Sequence, residues 1–229
     1  MNRIGIIFAM KEELEATLEK MKVVNEFKIF DLDFYECEFN NKTCILVECG
    51  IGKVNAARCS QILIDNLDID AILNVGVAGG VSSFVNICDV VVADKLVQHD
   101  FDLRPFDYEK GYIPNVGDKY VYCDEYLVKL ASEINIDNKI SIGTIASGDI
   151  FVTEEAMGKK INDKFSALCV EMEGAAIAQI CHLSNIPFLV IRSISDSPNG
   201  NNNITFDEFL DQSSKMASEF LIQLLNKIN

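Results

Sequence analysis

Short apolar runs alternate with amphipathic stretches along almost the whole chain. The first apolar run, Arg3–Ala9, predicts a buried strand, and residues 10–21 place their large apolar side chains on one helical face. Residues 27–49 alternate apolar and polar positions as three strands of a meander do, with two asparagines at the last turn. From residue 53 onward, helical and strand patterns alternate again. This order is typical of an α/β fold.

The later elements follow the same alternation. Mainly apolar runs predict strands at residues 71–75, 89–93, 140–146, 167–170 and 187–194. Amphipathic runs predict helices at residues 53–67, 124–134, 154–162, 172–184 and 206–227. A long connection at 99–122 is unusual in a compact domain unless it is functional. No linker interrupts the series, so residues 1–229 are predicted to form a single domain with a central mixed β-sheet flanked by helices.

Composition and charge exclude several classes of partner. The chain has 229 residues and a formal net charge of -15, which repels the phosphates of nucleic acids and of anionic membranes. No apolar run approaches the roughly 18 residues of a membrane span, and the N-terminus lacks the pattern of a signal peptide. We therefore expect a cytoplasmic protein that acts on a small molecule.

The cysteines carry no sign of a metal site. The eight cysteines contain no CxxC pair and no zinc-like spacing. Several lie inside apolar strands, so we expect small core residues in a reducing compartment rather than disulfides.

Candidate chemistry lies where predicted strands end. Open α/β sheets bind ligands at the carboxyl ends of their strands, and Asp196 follows the strand 187–194. A carboxyl group with little water around it has a raised pKa and can donate a proton. Residues 76–80 contain three glycines that let a ligand approach the backbone, although their spacing fits no dinucleotide or phosphate motif and also suits a simple turn.

Two pairs of glutamates leave alternatives open. Glu12 and Glu13 either complement the dipole of the helix that they open, or one of them faces the strand ends as a general base. Glu171 and Glu173 lie two positions apart at a strand-to-helix junction. They are expected to point in different directions, so that only one of them serves a ligand.

Other candidate residues have an ordinary structural interpretation. Arg192 and Asp196 are four apart, for which a structural ion pair is the default. His99 is one of two histidines and is expected to be structural or at an interface, since two histidines offer no metal cluster. Phe151 and Met172 suit the core, although such side chains also form stacking walls for a flat heterocycle.

Six segments together carry a resemblance to a known family. They lie at residues 4–13, 50–57, 76–80, 147–152, 170–174 and 192–196. In this order they resemble the 5′-methylthioadenosine/S-adenosylhomocysteine nucleosidases of the purine nucleoside phosphorylase superfamily. The resemblance covers almost the entire chain and implies the nucleoside phosphorylase-like fold.

The resemblance implies an acid and a base. Asp196 would protonate or hydrogen-bond adenine N7, which makes the base a good leaving group, and Glu13 would activate water for attack at the anomeric carbon. Cleavage through an oxocarbenium-like transition state needs an acid and a base on opposite faces of the sugar, as in inverting glycosidases. No metal and no organic cofactor is required.

The resemblance also implies a set of substrate-binding residues. Glu173 would hold the ribose 2′- and 3′-hydroxyls with Met172 against the sugar, while Phe151 would stack on adenine and the Val152 backbone would bind its edge. Arg192 would orient Glu173 or the sugar region, and Ser195 would help to place Asp196. The set is completed by Met10, Ile51 and Gly79.

The long connection is similar to a segment that reaches a neighbouring subunit in this family. Leu103, Phe106 and Pro114 would then form an apolar wall for a 5′-thioether substituent, which implies a homodimer. The alternative is that these side chains pack only within their own chain.

The activity implied is hydrolysis of the N-glycosidic bond of 5′-methylthioadenosine, S-adenosylhomocysteine and 5′-deoxyadenosine, in methionine salvage and methyl-cycle recycling. A phosphorolytic purine nucleoside phosphorylase, an aminodeoxyfutalosine nucleosidase and a non-catalytic purine-binding protein are the alternatives. Few arginines and a glutamate at the nucleophile position favour water over phosphate. Val77, where many relatives have serine, and Phe8, where a smaller residue is common, put the preference among substrates in question.

Overall fold

The computed structural model describes residues 1–196 and 202–229, with the side chains of 202–205 and 207 left aside. The strands are Arg3–Phe8 (β1), Lys22–Ile29 (β2), Leu32–Phe39 (β3), Lys42–Glu48 (β4), Ala71–Gly80 (β5), Val90–Gln98 (β6), Val121–Tyr122 (β7), Ile140–Ser147 (β8), Ala167–Glu171 (β9) and Phe188–Asp196 (β10). The helices are Lys11–Leu18 (α1), Lys53–Leu67 (α2), Glu125–Ser132 (α3), Glu155–Phe165 (α4), Gly174–Ser184 (α5) and Asn202–Lys227 (α6), with a 3₁₀ turn at Arg104–Phe106.

The sheet is mixed, as the sequence predicted, and part of it closes on itself. β1 lies between β4 and β5 and is parallel to both, whereas the β2–β3–β4 meander is antiparallel. From β5 the pairing runs through β9, β8, β6 and β10, and β10 then pairs back with β5. β1, β5 and β10 run in the same direction, so their carboxyl ends meet at one edge.

Several strands extend further than the sequence predicted. Residues 76–80 are the end of β5 rather than a turn, with Gly79 paired to Val170 of β9 and to Asp196 of β10. The absence of side chains on these glycines lets two strands approach on both sides of β5. β6 continues to Gln98 and β10 to Asp196. Asp196 therefore lies within the last strand and not beyond it.

Two further boundaries differ from the prediction for physical reasons. β2 begins at Lys22 rather than Phe27, because it is an edge strand whose first five residues are mostly exposed and show no alternation of apolar and polar positions. α5 begins at Gly174 rather than Met172, since Glu173 is the non-helical N-cap with φ −131° and ψ −45°. These two residues before the helix are left to face the edge of the sheet.

The core lies between the sheet and the helices that cover it. Apolar residues of β1, β4, β5, β6 and β10 form one buried cluster with the inner faces of α2, α5 and α6. All eight cysteines are buried and free, as predicted for small core residues. Among the described residues, no helix is long and apolar enough to cross a membrane.

Candidate active site

A pocket opens at the edge where β1, β5 and β10 end. Its walls combine apolar side chains with four carboxyl groups. The residues that line it are Ala9, Met10, Glu13, Ile51, Val77, Ala78, Gly79, Ile150, Phe151, Val152, Val170, Glu171, Met172, Glu173, Ser195, Asp196 and Phe206. The structure thus brings together every residue predicted for the acid, the base and the nucleoside contacts, apart from Arg192.

Backbone amides near the ends of two strands, β1 and β5, hold the Glu13 side chain in the pocket wall. Its Oε2 accepts hydrogen bonds from Ala9 N at 2.9 Å and Met10 N at 3.1 Å, and its Oε1 accepts one from Val77 N at 2.9 Å. A Cβ at Gly76 would lie only 2.8 Å from the Glu13 carboxyl carbon, so this strand position needs glycine.

The position of Glu13 distinguishes the two interpretations of the N-terminal glutamates, a role at the helix dipole or a role as a general base at the strand ends. Glu13 is 4% exposed, whereas Glu12 faces solvent. Burial raises the pKa of the Glu13 carboxyl, and the Arg192 charge and the three backbone hydrogen bonds act in the opposite direction. A buried carboxylate with a raised pKa is a stronger base than an exposed glutamate.

Asp196 ends β10 with its carboxyl group inside the pocket. The side chain is 2% exposed, and the Ser195 hydroxyl donates to its Oδ1 at 2.8 Å. Burial raises the pKa of Asp196, while the Ser195 hydrogen bond lowers it. A Cβ at Gly79 would lie 3.1 Å from Asp196 Oδ2, so the absence of a side chain at Gly79 leaves room for this oxygen. A carboxyl group in this environment suits proton donation.

Glu171 and Glu173 point in different directions, as expected from their spacing. Glu173 Oε1 accepts a hydrogen bond from Gly52 N at 2.8 Å. Glu171 Oε2 accepts from Glu173 N at 3.1 Å and from Gly174 N at 2.7 Å, and its Oε1 accepts from the Ser147 hydroxyl. Burial and the Glu171 charge raise the pKa of Glu173 to about 7. Glu171, which had no predicted task, fixes the turn that presents Glu173.

Arg192 does not form the expected ion pair with Asp196. Four residues along a strand span about 13 Å, and the Arg192 guanidinium instead contacts Glu171 Oε2 at 2.5 Å and approaches Glu173 Oε2 at 3.9 Å. It also donates to Asn74 Oδ1 at 2.6 Å. Arg192 is 1% exposed and lies behind the pocket wall, where its charge acts on the glutamates.

Sequence reasoning missed the partners of this buried charge. Asn74, which accepts from Arg192, and Ser147, which donates to its partner Glu171, are both fully buried, and Asn74 also donates to the Ile7 carbonyl at 3.0 Å. The available signal was a polar residue in an otherwise apolar strand, since buried polar groups need partners.

The aromatic wall is partly open. Phe151 is 46% exposed and contacts Phe206 edge-to-face, with ring centroids 5.7 Å apart. Val152 is 5% exposed. A half-exposed aromatic ring beside two buried carboxyl groups is suited to stacking on a flat heterocycle.

The residues predicted for a neighbouring subunit lie outside this pocket. Phe106 is 72% exposed, Pro114 is exposed and Leu103 is half-buried. Phe106 therefore does not pack within its own chain. His99 is buried, which fits its predicted structural role. Within the described part of the chain, no group of three or more histidine, cysteine or acidic side chains could hold a metal ion.

Comparison with known proteins agrees with this geometry. The sequence profile of the phosphorylase superfamily matches residues 3–226. A 5′-methylthioadenosine/S-adenosylhomocysteine nucleosidase of Staphylococcus carnosus is 39% identical over 98% of this chain and 100% of its own length. A relative of the same name from Oceanobacillus iheyensis is 37% identical over 98% of this chain and 99% of its own.

Solved structures give the same result. A Helicobacter pylori 5′-methylthioadenosine/S-adenosylhomocysteine nucleosidase superposes with a TM-score of 0.95 at 34% identity, over 99% of both chains. The S-adenosylhomocysteine nucleosidase of Streptococcus pyogenes, solved with 5-methylthiotubericidin, has a TM-score of 0.94 at 38% identity and covers 100% of this chain and 98% of its own. The chain belongs to the phosphorylase superfamily and, within it, to the 5′-methylthioadenosine/S-adenosylhomocysteine nucleosidase family.

Proposed function

We propose that this protein hydrolyses the N-glycosidic bond of 5′-methylthioadenosine and S-adenosylhomocysteine and releases adenine. The observation that carries the proposal is the pair of buried carboxyl groups with raised pKa, Glu13 and Asp196, in one pocket with an aromatic wall. Relatives that match the whole chain bear the name of this nucleosidase. The enzyme is thus a hydrolase of N-glycosidic bonds.

The geometry supports a division of labour between the two groups. Protonated Asp196 donates to adenine N7, so that the base leaves as a neutral species while positive charge develops on the ribose. Glu13 accepts a proton from the water that attacks the anomeric carbon. The water oxygen forms the new bond to carbon as the C–N bond breaks, and the proton acquired by adenine and the one acquired by Glu13 balance the step. General acid and base contributions are each about 10²–10⁴-fold.

Water rather than phosphate is the nucleophile that this pocket favours. None of the described residues that line it is cationic, whereas Glu13, Glu171, Glu173 and Asp196 all contribute carboxyl groups. The nearest guanidinium, that of Arg192, is already bound by Glu171 and Asn74. Phosphate would meet like charge here without a compensating cation.

The test is adenine release from 5′-methylthioadenosine by the wild type and by Asp196→Asn. Asparagine is nearly isosteric but cannot transfer a proton, so we expect turnover to fall by about 10²–10⁴-fold with an unchanged circular dichroism spectrum. Asp94→Asn, on β6 and away from the pocket, is the matched control and should keep wild-type turnover. Equal release by Asp196→Asn and the wild type would refute the assignment of the acid.

A second candidate substrate is an adenine nucleoside with a different 5′ substituent. A Helicobacter pylori structure named futalosine hydrolase also superposes with a TM-score of 0.95 at 34% identity. The residues proposed for adenine and ribose are assigned no contact with the 5′ substituent, so they do not rank these substrates. Kinetic comparison of methylthioadenosine, adenosylhomocysteine, 5′-deoxyadenosine and aminodeoxyfutalosine would rank them.

We also propose that the active form is a homodimer in the cytoplasm. The exposed Phe106, with Leu103 and Pro114, would cover the 5′ side of the partner's pocket. Eight free cysteines suit a reducing compartment. The products, adenine and a 5-thioribose, would pass to methionine salvage.

A further inference from the structure

The first residues of α2 connect two parts of the pocket. Gly52 N donates to Glu173 Oε1 at 2.8 Å, and the next amide, Lys53 N, donates to Asp149 Oδ1 at 2.8 Å. Asp149 lies two residues before Phe151. One helix start thus binds both the carboxylate proposed for the ribose and the segment that carries the adenine wall.

The side chain of Lys53 strengthens this connection. Its ammonium group contacts Asp100 Oδ1 at 2.7 Å and Gln98 Oε1 at 3.1 Å, and Asp100 Oδ2 accepts a hydrogen bond from Asp149 N at 2.9 Å. The Lys53 and Asp100 side chains are only 17% and 19% exposed. Among the described residues, only the ion pairs of Arg192 are more buried. Such a pair is screened less than a surface one.

Close packing leaves the same segment little freedom to move. A Cβ at Gly148 would overlap the imidazole of His99 and lie 3.1 Å from Asp100 Cγ. Gly148 N also donates to the Glu171 carbonyl at 3.1 Å. The backbone before Phe151 is therefore held by His99 and Asp100, which do not line the pocket, and by the carbonyl of Glu171, which does.

We propose that Lys53, Asp100 and Asp149 are positioning residues, which form a latch that fixes the Phe151–Val152 wall relative to Glu173. The proposal rests on the proposed function, in which adenine lies against Phe151 and the ribose hydroxyls bind Glu173. A nucleoside contacts both subsites at once, so it gains from their fixed spacing. Free adenine contacts only the wall and can follow it when it moves. Preorganisation of this kind is expressed as affinity for the larger ligand.

The sharpest test compares Asp149→Ala with Asp149→Asn. Asparagine keeps a side-chain oxygen that can accept from Lys53 N, whereas alanine does not. Loss of a charge-assisted hydrogen bond predicts that Asp149→Ala raises the KM for methylthioadenosine about tenfold, with kcat within about threefold. Calorimetry should show the same tenfold loss for a 7-deaza nucleoside, which lacks the N7 that Asp196 would protonate. The affinity for free adenine should change less than about threefold.

The other variants complete the design. Asp149→Asn should stay within about threefold of the wild type, and Lys53→Met should weaken the 7-deaza nucleoside more than adenine. Lys28→Met breaks an exposed ion pair with Asp33 between β2 and β3, away from the pocket and from the long connection, and should change neither affinity. Equal losses for nucleoside and adenine, or an asparagine variant as impaired as the alanine one, would overturn the latch.

The binding measurements separate this proposal from the proposed function. If the wild type binds both ligands but cleaves no nucleoside, hydrolysis is refuted, and the ratio of affinities still decides on the latch. If the wild type binds neither adenine nor the 7-deaza nucleoside, the latch is refuted together with the adenine subsite.

Discussion

Among the single residues around the pocket, buried carboxyl groups outnumber buried cations. Four carboxyl groups and one guanidinium are buried there, from Glu13, Glu171, Glu173, Asp196 and Arg192. Arg192 is bound closely to Glu171 and lies 3.9 Å from Glu173, so one cation is shared among several buried carboxyl groups. Burial raises the pKa of Glu13, Glu173 and Asp196, which favours their protonated forms.

This imbalance predicts that Glu173 lowers the free energy of unfolding by an amount that depends on pH. Its pKa is about 7 in the folded protein against 4.5 ordinarily, so the folded state binds the proton more tightly. The resulting stabilisation is complete below pH 4.5 and is lost as the pH rises through 7. Glu173→Gln mimics the protonated form at every pH. Its free energy of unfolding, relative to wild type, should therefore increase across this window.

Urea unfolding at intervals between pH 4.5 and 8 measures this difference. Titrating groups far from Glu173 cancel in the comparison, because both proteins contain them in the same surroundings. A difference between Glu173→Gln and wild type that stays constant over the whole range would contradict a raised pKa at this residue.

At the scale of elements, apolar runs predicted the strands well and their ends poorly. The buried strand 71–75 was identified from its side chains, but its continuation through residues 76–80 depends on pairing with β9 and β10. Glycines carry no sign of such tertiary pairing, and alone they suggest a turn. Met172 and Glu173 were assigned to a helix because the pattern of apolar positions does not show where α5 begins. That start is fixed by the hydrogen bonds that the Glu171 side chain accepts from the backbone.

The site was predicted where chemistry depends on residue type, and missed where it depends on contacts. Glu13, in the first turn of the helix after β1, and Asp196, the last residue of β10, both lie close to strands that the pattern could locate. The partner of Arg192 could not be inferred from spacing, because Glu171 comes from another strand and meets it across the pocket wall. The roles of the residues were inferred from the resemblance to the family, whereas their hydrogen-bond and ion-pair partners were seen only in the structure.

The ion pair of Arg192 with Glu171 links β10 to β9. Removing its cation should lower the stability of the protein strongly. Arg192→Met leaves Glu171 buried beside Ser147 without its guanidinium, and loss of one partner of a buried pair costs about 3–5 kcal/mol. The double variant Arg192→Met/Glu171→Gln should recover part of this loss, because it removes the unpaired charge. Urea unfolding of both measures the difference.

An exposed ion pair provides the control for Arg192. Arg58 and Asp31 are paired at the surface with 42% and 72% of their side chains exposed, and Arg58→Met should lower the free energy of unfolding far less than Arg192→Met. A double variant no more stable than Arg192→Met would mean that the unpaired charge of Glu171 is not the source of the loss.

At the scale of the whole molecule, the long connection leaves an aromatic side chain exposed to water. Phe106 is 72% exposed on the long connection, where burial by a second copy of this chain would remove it from water. Phe106→Ser should therefore weaken dimerisation and raise the KM for methylthioadenosine more than that for adenosine, which lacks the thioether. Sedimentation velocity over a range of protein concentrations, together with the two KM values, tests this.

Phe84 is the matched control for this prediction. It is 71% exposed and lies outside the long connection, so Phe84→Ser should leave both association and kinetics unchanged. A wild type that sediments as a monomer at all concentrations, with full activity, would contradict the proposed homodimer.

Water is the proposed nucleophile at the sugar. The most direct measurement is product analysis after cleavage of methylthioadenosine in ¹⁸O-labelled water with phosphate present. Activation of water by Glu13 predicts adenine and a free thioribose that carries ¹⁸O at its anomeric carbon, at a rate independent of phosphate. A thioribose 1-phosphate without the label would contradict the account.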